Sequence, residues 1–228
     1  MTSESLIMIR DTVNSKQAFT QEQNECKKNK GYRELLGDKA WFNLHPDIRE
    51  RFSEENSHNV RIYSGVMEEV YLSFMGKIIA HLCRLIGTPL ALYQANNVPT
   101  IVKVYPDSET KGIVWDRYYI YEGRRINRVK SAKCLLPEGG LIEKVGFGFG
   151  MHLKVSEENG ALCFRSTEFF WQLGRLRLRI PDIISPGKTT VCQEALSEHR
   201  FRFKLEVVHP IVGKLYWQMG VFNELSDS

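Results

Sequence analysis

The stretch RFRFKLEVVHPIVGKLYWQMGVF, residues 200–222, says most about the architecture of this chain. Its first half alternates without a break: Phe201, Phe203, Leu205 and Val207 fall on one side, Arg200, Arg202, Lys204 and Glu206 on the other. A period of two marks a strand with one buried face. Beyond His209 and Pro210 the chain returns with Leu215, Trp217, Met219 and Val221 in the same alternation, so the stretch reads as a hairpin. Its turn is greasy: Val208, Pro210, Ile211 and Val212 are apolar where connecting loops are usually polar. The simpler expectation is that this loop plugs the end of the sheet; the alternative is a lip that touches membrane, ligand or partner.

Upstream, the same reading extends back to about Val98. VPTIVKVY, GIVWDRYYIY, RINRVKSAKCLL, LIEKVGFGFGMHLKV, ALCFRSTEFFWQL and TTVCQEAL are strand-like runs. The turns between them are short, and Asn159-Gly160 is a strong hairpin signal. Successive strands with short connections favour an antiparallel meander. The segment NVRIYSGVMEEVYL is also extended, and a helix is expected over 73–87, capped by Ser73 and stopped by Gly87. Phe74, Ile78, Leu82 and Leu85 form its apolar stripe, with Lys77, His81 and Arg84 opposite. Two short helices are expected over residues 32–52, with Pro46 in the first turn of the second. The fold class is therefore α+β and mainly β: a strongly curved antiparallel meander sheet or barrel, with short N-terminal helices and one amphipathic helix packed on it. A helix-grip arrangement of the START-like kind is the rival, but it needs a long C-terminal helix. Residues 1–30 read as an extension, partly helical or disordered, 31–223 as one domain, and 224–228 as a tail.

Composition narrows the function. The 228 residues carry 31 Lys and Arg against 27 Asp and Glu, a net charge of +4 that is too small to indicate nucleic acid. Five widely spaced cysteines without a C-x-x-C pair read as reduced thiols in a cytoplasmic protein, and no metal or cofactor is expected. The N-terminus, MTSESLIMIRDTVNSK, lacks the basic start and long apolar run of a signal peptide.

Several ordered stretches carry a family resemblance: YRELLGDKAWFNLHPDIRERF, CRLIGTPLA, GIVWDRYY, GGLIEKVGFGFGMHLKV and FRFKLEVVHPIVGKLYWQMGVF. Together, from about Tyr32 to Phe222, they resemble the bacterial family catalogued as domain of unknown function 4166. The family occurs free-standing and appended to oxidoreductase-like domains. The resemblance implies a domain unit, and it brings no catalytic residues.

Candidate sites come from the residues themselves. In VGFGFGM, the glycines Gly146, Gly148 and Gly150 would line one face of a strand and leave a groove for a ligand, a packed helix or a bend. Arg175, Arg177 and Arg179 alternate with leucines; they suit an anion or headgroup, or simply guard an exposed edge. Trp115, Arg117, Tyr119 and Tyr121 share a face, and Glu143 on a later strand is a possible partner for Arg117. His152 and His209 could act as acid or base, although His209 before Pro210 also suits capping a turn.

Three functions are expected in turn. The first is a binding module for a small hydrophobic or amphipathic ligand, lipid or acyl-like, held by Trp115, Arg117, Tyr119, the three glycines and the three arginines. The second is an enzyme of cyclase, isomerase or hydrolase type using His152, Glu143 and Arg117. The third is an interaction module docking an oxidoreductase-like protein or a membrane surface through the 73–87 helix; peripheral membrane contact ranks last among the partners.

Overall fold

The computed structural model of the chain describes residues 31–85, 90–197 and 199–225. The expected extension at 1–30 and the stop at Gly87 lie outside them. Three short helices come first: α1 (Tyr32–Leu36), α2 (Asp38–Asn43) and α3 (Pro46–Arg51). Where two were expected, Gly37 with φ of 77° divides the first into α1 and α2. A 3-10 turn, Glu55–His58, leads into β1 (Arg61–Leu72), and α4 (Phe74–Leu85) comes next.

The remaining elements are strands: β2 (Ala95–Asp107), β3 (Gly112–Tyr119), β4 (Asn127–Leu135), β5 (Leu141–Gly146), β6 (Phe149–Glu158) and β7 (Ala161–Leu173). After them come β8 (Leu176–Ile180), β9 (Lys188–Ala195), β10 (Phe201–His209) and β11 (Gly213–Glu224). Each sequential pair from β1 to β2 through β6 to β7 is antiparallel, β7 continues to β9, and β11 returns to β1. The result is a closed ten-stranded antiparallel barrel, and β8 hangs from the second half of β7 as an extra strand with one free edge. Closure removes the exposed edges that an open sheet of this length would carry. Bulges at Met67/Glu69, His152/Leu153 and Val207/Val208 add the local twist that curving the sheet requires.

The two ends of the barrel differ. The ends of β6 and β9 are covered by α1–α3, which bury Tyr32, Trp41, Leu44, Ile48 and Phe52. Phe52 stacks on Trp115 at 6.1 Å between ring centroids and meets Tyr32 at 5.3 Å and Phe164 at 5.8 Å. The His45 N–H donates to the Gly160 carbonyl at 3.0 Å, which ties the cap to the β6–β7 turn. The other end is spanned only in part by α4. Ser73 caps this helix as expected, accepting from the Gly76 N–H at 3.0 Å. Gly76 rests against the Leu215 carbonyl, where a Cβ would sit only 2.0 Å from the oxygen; no other residue permits that approach.

Several expectations need correction. The buried face of α4 is Gly76, Ala80 and Cys83, with Ile79 half-buried, whereas the expected stripe is exposed: Phe74 is 77% accessible, with Ile78 and Leu82 also open. The small residues face inward because the helix lies against backbone. In β11 the inward residues are Tyr216, Gln218, Gly220 and Phe222, while Trp217, Met219 and Val221 are only half-buried. Apolarity there runs one residue out of phase with burial, since Gln218 is buried by hydrogen bonds from two tyrosines and not by a greasy side chain. The 208–213 loop is a lip and not a plug: Val208, Ile211 and Val212 are exposed. Cys163 and Cys192 face each other across β7 and β9, 4.2 Å apart at Cα, and are joined by a disulfide. Disulfides persist in oxidising surroundings, so the cysteines no longer support a cytoplasmic placement. Among the described residues no helix is long and apolar enough to cross a membrane.

Candidate functional site

Ten strands enclose more space than their inward side chains fill, whereas about eight make an interior just wide enough for side chains to fill. The surplus lies at the end away from α1–α3, as a cavity of about 780 Å³. That is within the usual range for small-molecule sites. Its walls are mostly aliphatic and aromatic, including Ile79, Val145, Phe169, Val191 and Leu205.

Three neighbouring strands build a layered floor. Along β3 the inward side chains are Trp115, Arg117 and Tyr119; along β4 they are Lys133, Ser131 and Val129; along β5 they are Leu141, Glu143 and Val145. The pairings Trp115↔Ser131, Arg117↔Val129 and Lys133↔Glu143 align these rows. The deepest layer is aromatic, with the Lys133 ammonium 5.3 Å from the ring centres of both Trp115 and Phe164. Above it lie Glu143, Ser131 and Arg117, which line the cavity together with Tyr119, Tyr216 and Gln218.

The charges on this floor are unequally matched. Lys133 Nζ is 3.1 Å from Glu143 Oε1, and both side chains are almost wholly buried. Burial alone would raise the Glu143 carboxyl, but the charges of Lys133 and Arg117 and hydrogen bonds from Ser131 and Lys133 hold it below its ordinary value. Burial lowers the Lys133 ammonium, with Glu143 opposing and Arg117 reinforcing that shift. Among the described residues Arg117, also buried, donates to Ser131 Oγ alone, at 3.4 Å, and its guanidinium lies 6.0 Å from the Phe203 ring. Tyr119 and Tyr216 both donate to Gln218 Oε1, at 3.2 and 2.7 Å, and burial raises both phenols.

The expected site residues divide between this cavity and elsewhere. Arg117, Tyr119, Glu143 and Gly150 line it. Trp115 lies beneath it in the aromatic layer, and Tyr121 stacks on Tyr119 at 6.3 Å with its hydroxyl donating to the Tyr93 carbonyl at 3.2 Å. The three glycines do not share a strand face. Phe147 and Gly148, with φ of 43° and 81°, form the turn between β5 and β6, so Gly146 ends one strand and Gly150 belongs to the next. Arg175 precedes β8. Arg177 lies over the Phe170 ring at 4.4 Å and reaches Gln172, while Arg179 is at the mouth, 3.2 Å from Glu168. All three are exposed, and Arg177 and Arg179 lie on β8, the strand with the free edge.

His152 is on the outer face, against the Phe170 ring at 5.4 Å and opposite Ile142, so the wall of the barrel separates it from Glu143 and Arg117. His209 lies at the mouth as a turn cap: Nδ1 accepts from the Ile211 and Val212 N–H groups, and Nε2 meets the Ile183 carbonyl at 3.1 Å. Sequence reasoning missed Lys133, Ser131, Tyr216 and Gln218. A clue was present for Lys133, a charge on the inward alternation of β4 between Ala132 and Cys134.

Around the mouth runs an exposed apolar rim of Met75, Leu82, Ile183, Ile184 and Val212, with Ile184 at 72% accessible. No curated protein matches the chain. The family model described as Domain of unknown function (DUF4166) matches residues 44–222, a span that includes α3 and β1 through β10 entire and most of β11, and the chain belongs to that family.

Proposed function

We propose that this domain is a binding barrel for a small hydrophobic or amphipathic molecule held in the open end. The observation that carries the reading is a largely apolar cavity of about 780 Å³ whose floor is a buried polar layer. Apolar walls favour hydrocarbon through the hydrophobic effect, and a few convergent polar groups orient it. The acid–base set of His152, Glu143 and Arg117 has no common space, so the enzymatic reading lacks its third member. Native mass spectrometry of the purified chain tests the binding reading. Extra mass that leaves on denaturation, and that is diminished by Leu205→Trp filling the cavity, supports it; an empty barrel that also takes up no alkyl probe counts against it.

A second reading is favoured by the rim. Met75, Leu82, Ile184 and Val212 line the mouth with the cation Arg179, and α4 adds the exposed Phe74, Lys77 and Ile78, a pairing of grease and positive charge that suits an anionic lipid surface. Sedimentation with vesicles of neutral and of anionic phospholipid checks it. Binding to anionic vesicles that falls in Phe74→Glu and Ile184→Glu is the expected result.

A further inference from the structure

Among the described residues, the floor of the cavity sets two cations, Lys133 and Arg117, against one carboxylate, Glu143. Lys133 and Glu143 together are neutral whichever of them holds the shared proton, since transfer across 3.1 Å turns two opposite charges into two uncharged groups. With Lys133 protonated, Arg117 is a second cation above a single carboxylate. Among the described residues Glu143 is the only carboxylate lining the cavity, and Lys133 already occupies it. Among the described residues Arg117 makes one long hydrogen bond, to Ser131 Oγ at 3.4 Å, out of the five donors a guanidinium offers. A buried guanidinium that only shares a carboxylate already paired with lysine is costly, and a further anion beside it would lower that cost.

We infer that Arg117 is the receptor for the head of an anionic amphiphile, a single-chain carboxylate that enters head first and leaves its hydrocarbon along the apolar walls toward the mouth. This rests on the binding reading above. A carboxylate fits on two grounds. Its two oxygens match the planar fork of a guanidinium, and its single charge neutralises Arg117 where a doubly charged phosphate would leave a buried excess. Tyr119 and Tyr216 flank the same floor, with both hydroxyls committed to Gln218, so they help to shape the pocket while the guanidinium supplies the free donors.

Calorimetric titration of the delipidated full chain with dodecanoic acid, dodecanol and dodecyl phosphate at neutral pH tests the inference. The acid should bind roughly ten- to hundred-fold more tightly than the alcohol of equal length, the size expected of a hydrogen bond to a charged group. Arg117→Met should bring that ratio close to one, and Arg117→Lys should restore part of it. The wild-type ratio alone keeps the inference falsifiable if the variants fold poorly. Equal affinity for acid and alcohol would overturn the carboxylate assignment and leave the binding reading intact, and so would tighter binding of the phosphate than of the acid. Failure of all three probes to bind would overturn both.

Discussion

At the capped end of the barrel Trp41, Leu44, Ile48 and Phe52 are withdrawn from water; at the open end Met75, Ile183, Ile184 and Val212 face it. The same ten strands supply both ends, so the difference comes from the helices laid across each. The helices α1–α3 bring large aromatic side chains to one end, and Tyr32, Phe52, Trp115 and Phe164 fill its width. At the other end α4 offers Gly76, Ala80 and Cys83 inward, and these small residues leave space unfilled. Stability is therefore concentrated where the barrel is full, and adaptability where it is empty.

That contrast is tested most severely at Phe52, 6% exposed and in contact with three rings. Phe52→Ala should cost about 4 kcal/mol in denaturant unfolding, as deep aromatic truncations do. A loss below ~1 kcal/mol would mean that the cap is not part of the cooperative core. Next is the charged floor between the two ends. Glu143→Gln strands Lys133 in a buried layer and should cost about 3 kcal/mol, less than the extreme because a buried lysine can release its proton. Replacing both partners, with Lys133→Met and Glu143→Leu together, should recover most of that loss, since apolar substitutes for a buried pair are often neutral. If the double variant is no better than the single one, the layer owes its stability to packing and not to charge.

The same pair gives a pH dependence of definite sign. The Glu143 carboxyl is depressed in the folded protein, so its contribution is complete above the unfolded value, about 4.3, and is lost as pH falls through the lower folded value. Asp107 and Glu194 are held down as well, so every variant should weaken in acid. Wild type should weaken more steeply than Glu143→Gln between neutral pH and pH 3. Parallel acid limbs would show that Glu143 has no part in the acid sensitivity. The smallest effect belongs to the rim: Ile184→Ser should change unfolding by less than ~0.5 kcal/mol, as exposed substitutions usually do. A large loss there would show that the mouth is closed over in solution.

Much of the barrel was legible in the sequence because strand alternation reports burial directly, as along β10, and along β3 it gives the inward face although Val114 and Asp116 opposite are buried too. The errors arise where burial is achieved without apolarity or apolarity without burial. Gln218 is buried by two tyrosine hydroxyls, so the greasy residues of β11 mark the wrong face. Phe74, Ile78 and Leu82 are exposed because α4 packs through its small residues. Alternating glycines suggested one strand face, but Phe147 with positive φ turns the chain between them. Of the candidate site, Arg117 and Tyr119 are found through their shared face, whereas Glu143 pairs first with Lys133 and not with Arg117. Lys133 is a lone lysine among apolar neighbours, and which residue faces it across the sheet is settled by pairing register, which periodicity alone does not fix.

The pairing of β1 with β11, from Tyr63↔Glu224 to Leu72↔Tyr216, joins segments some 150 residues apart in the chain. During synthesis every other seam between neighbouring strands can begin to form as its hairpin or short crossover emerges, but this one must wait until β11 has left the ribosome. Closing so long a loop is slow because its entropy cost precedes its contacts. Until then β1 presents a bare edge, and the nascent barrel is an open sheet that can pair with another copy of itself. The last strand to be made therefore acts as the latch, and its arrival sets the interval during which the chain is exposed to aggregation.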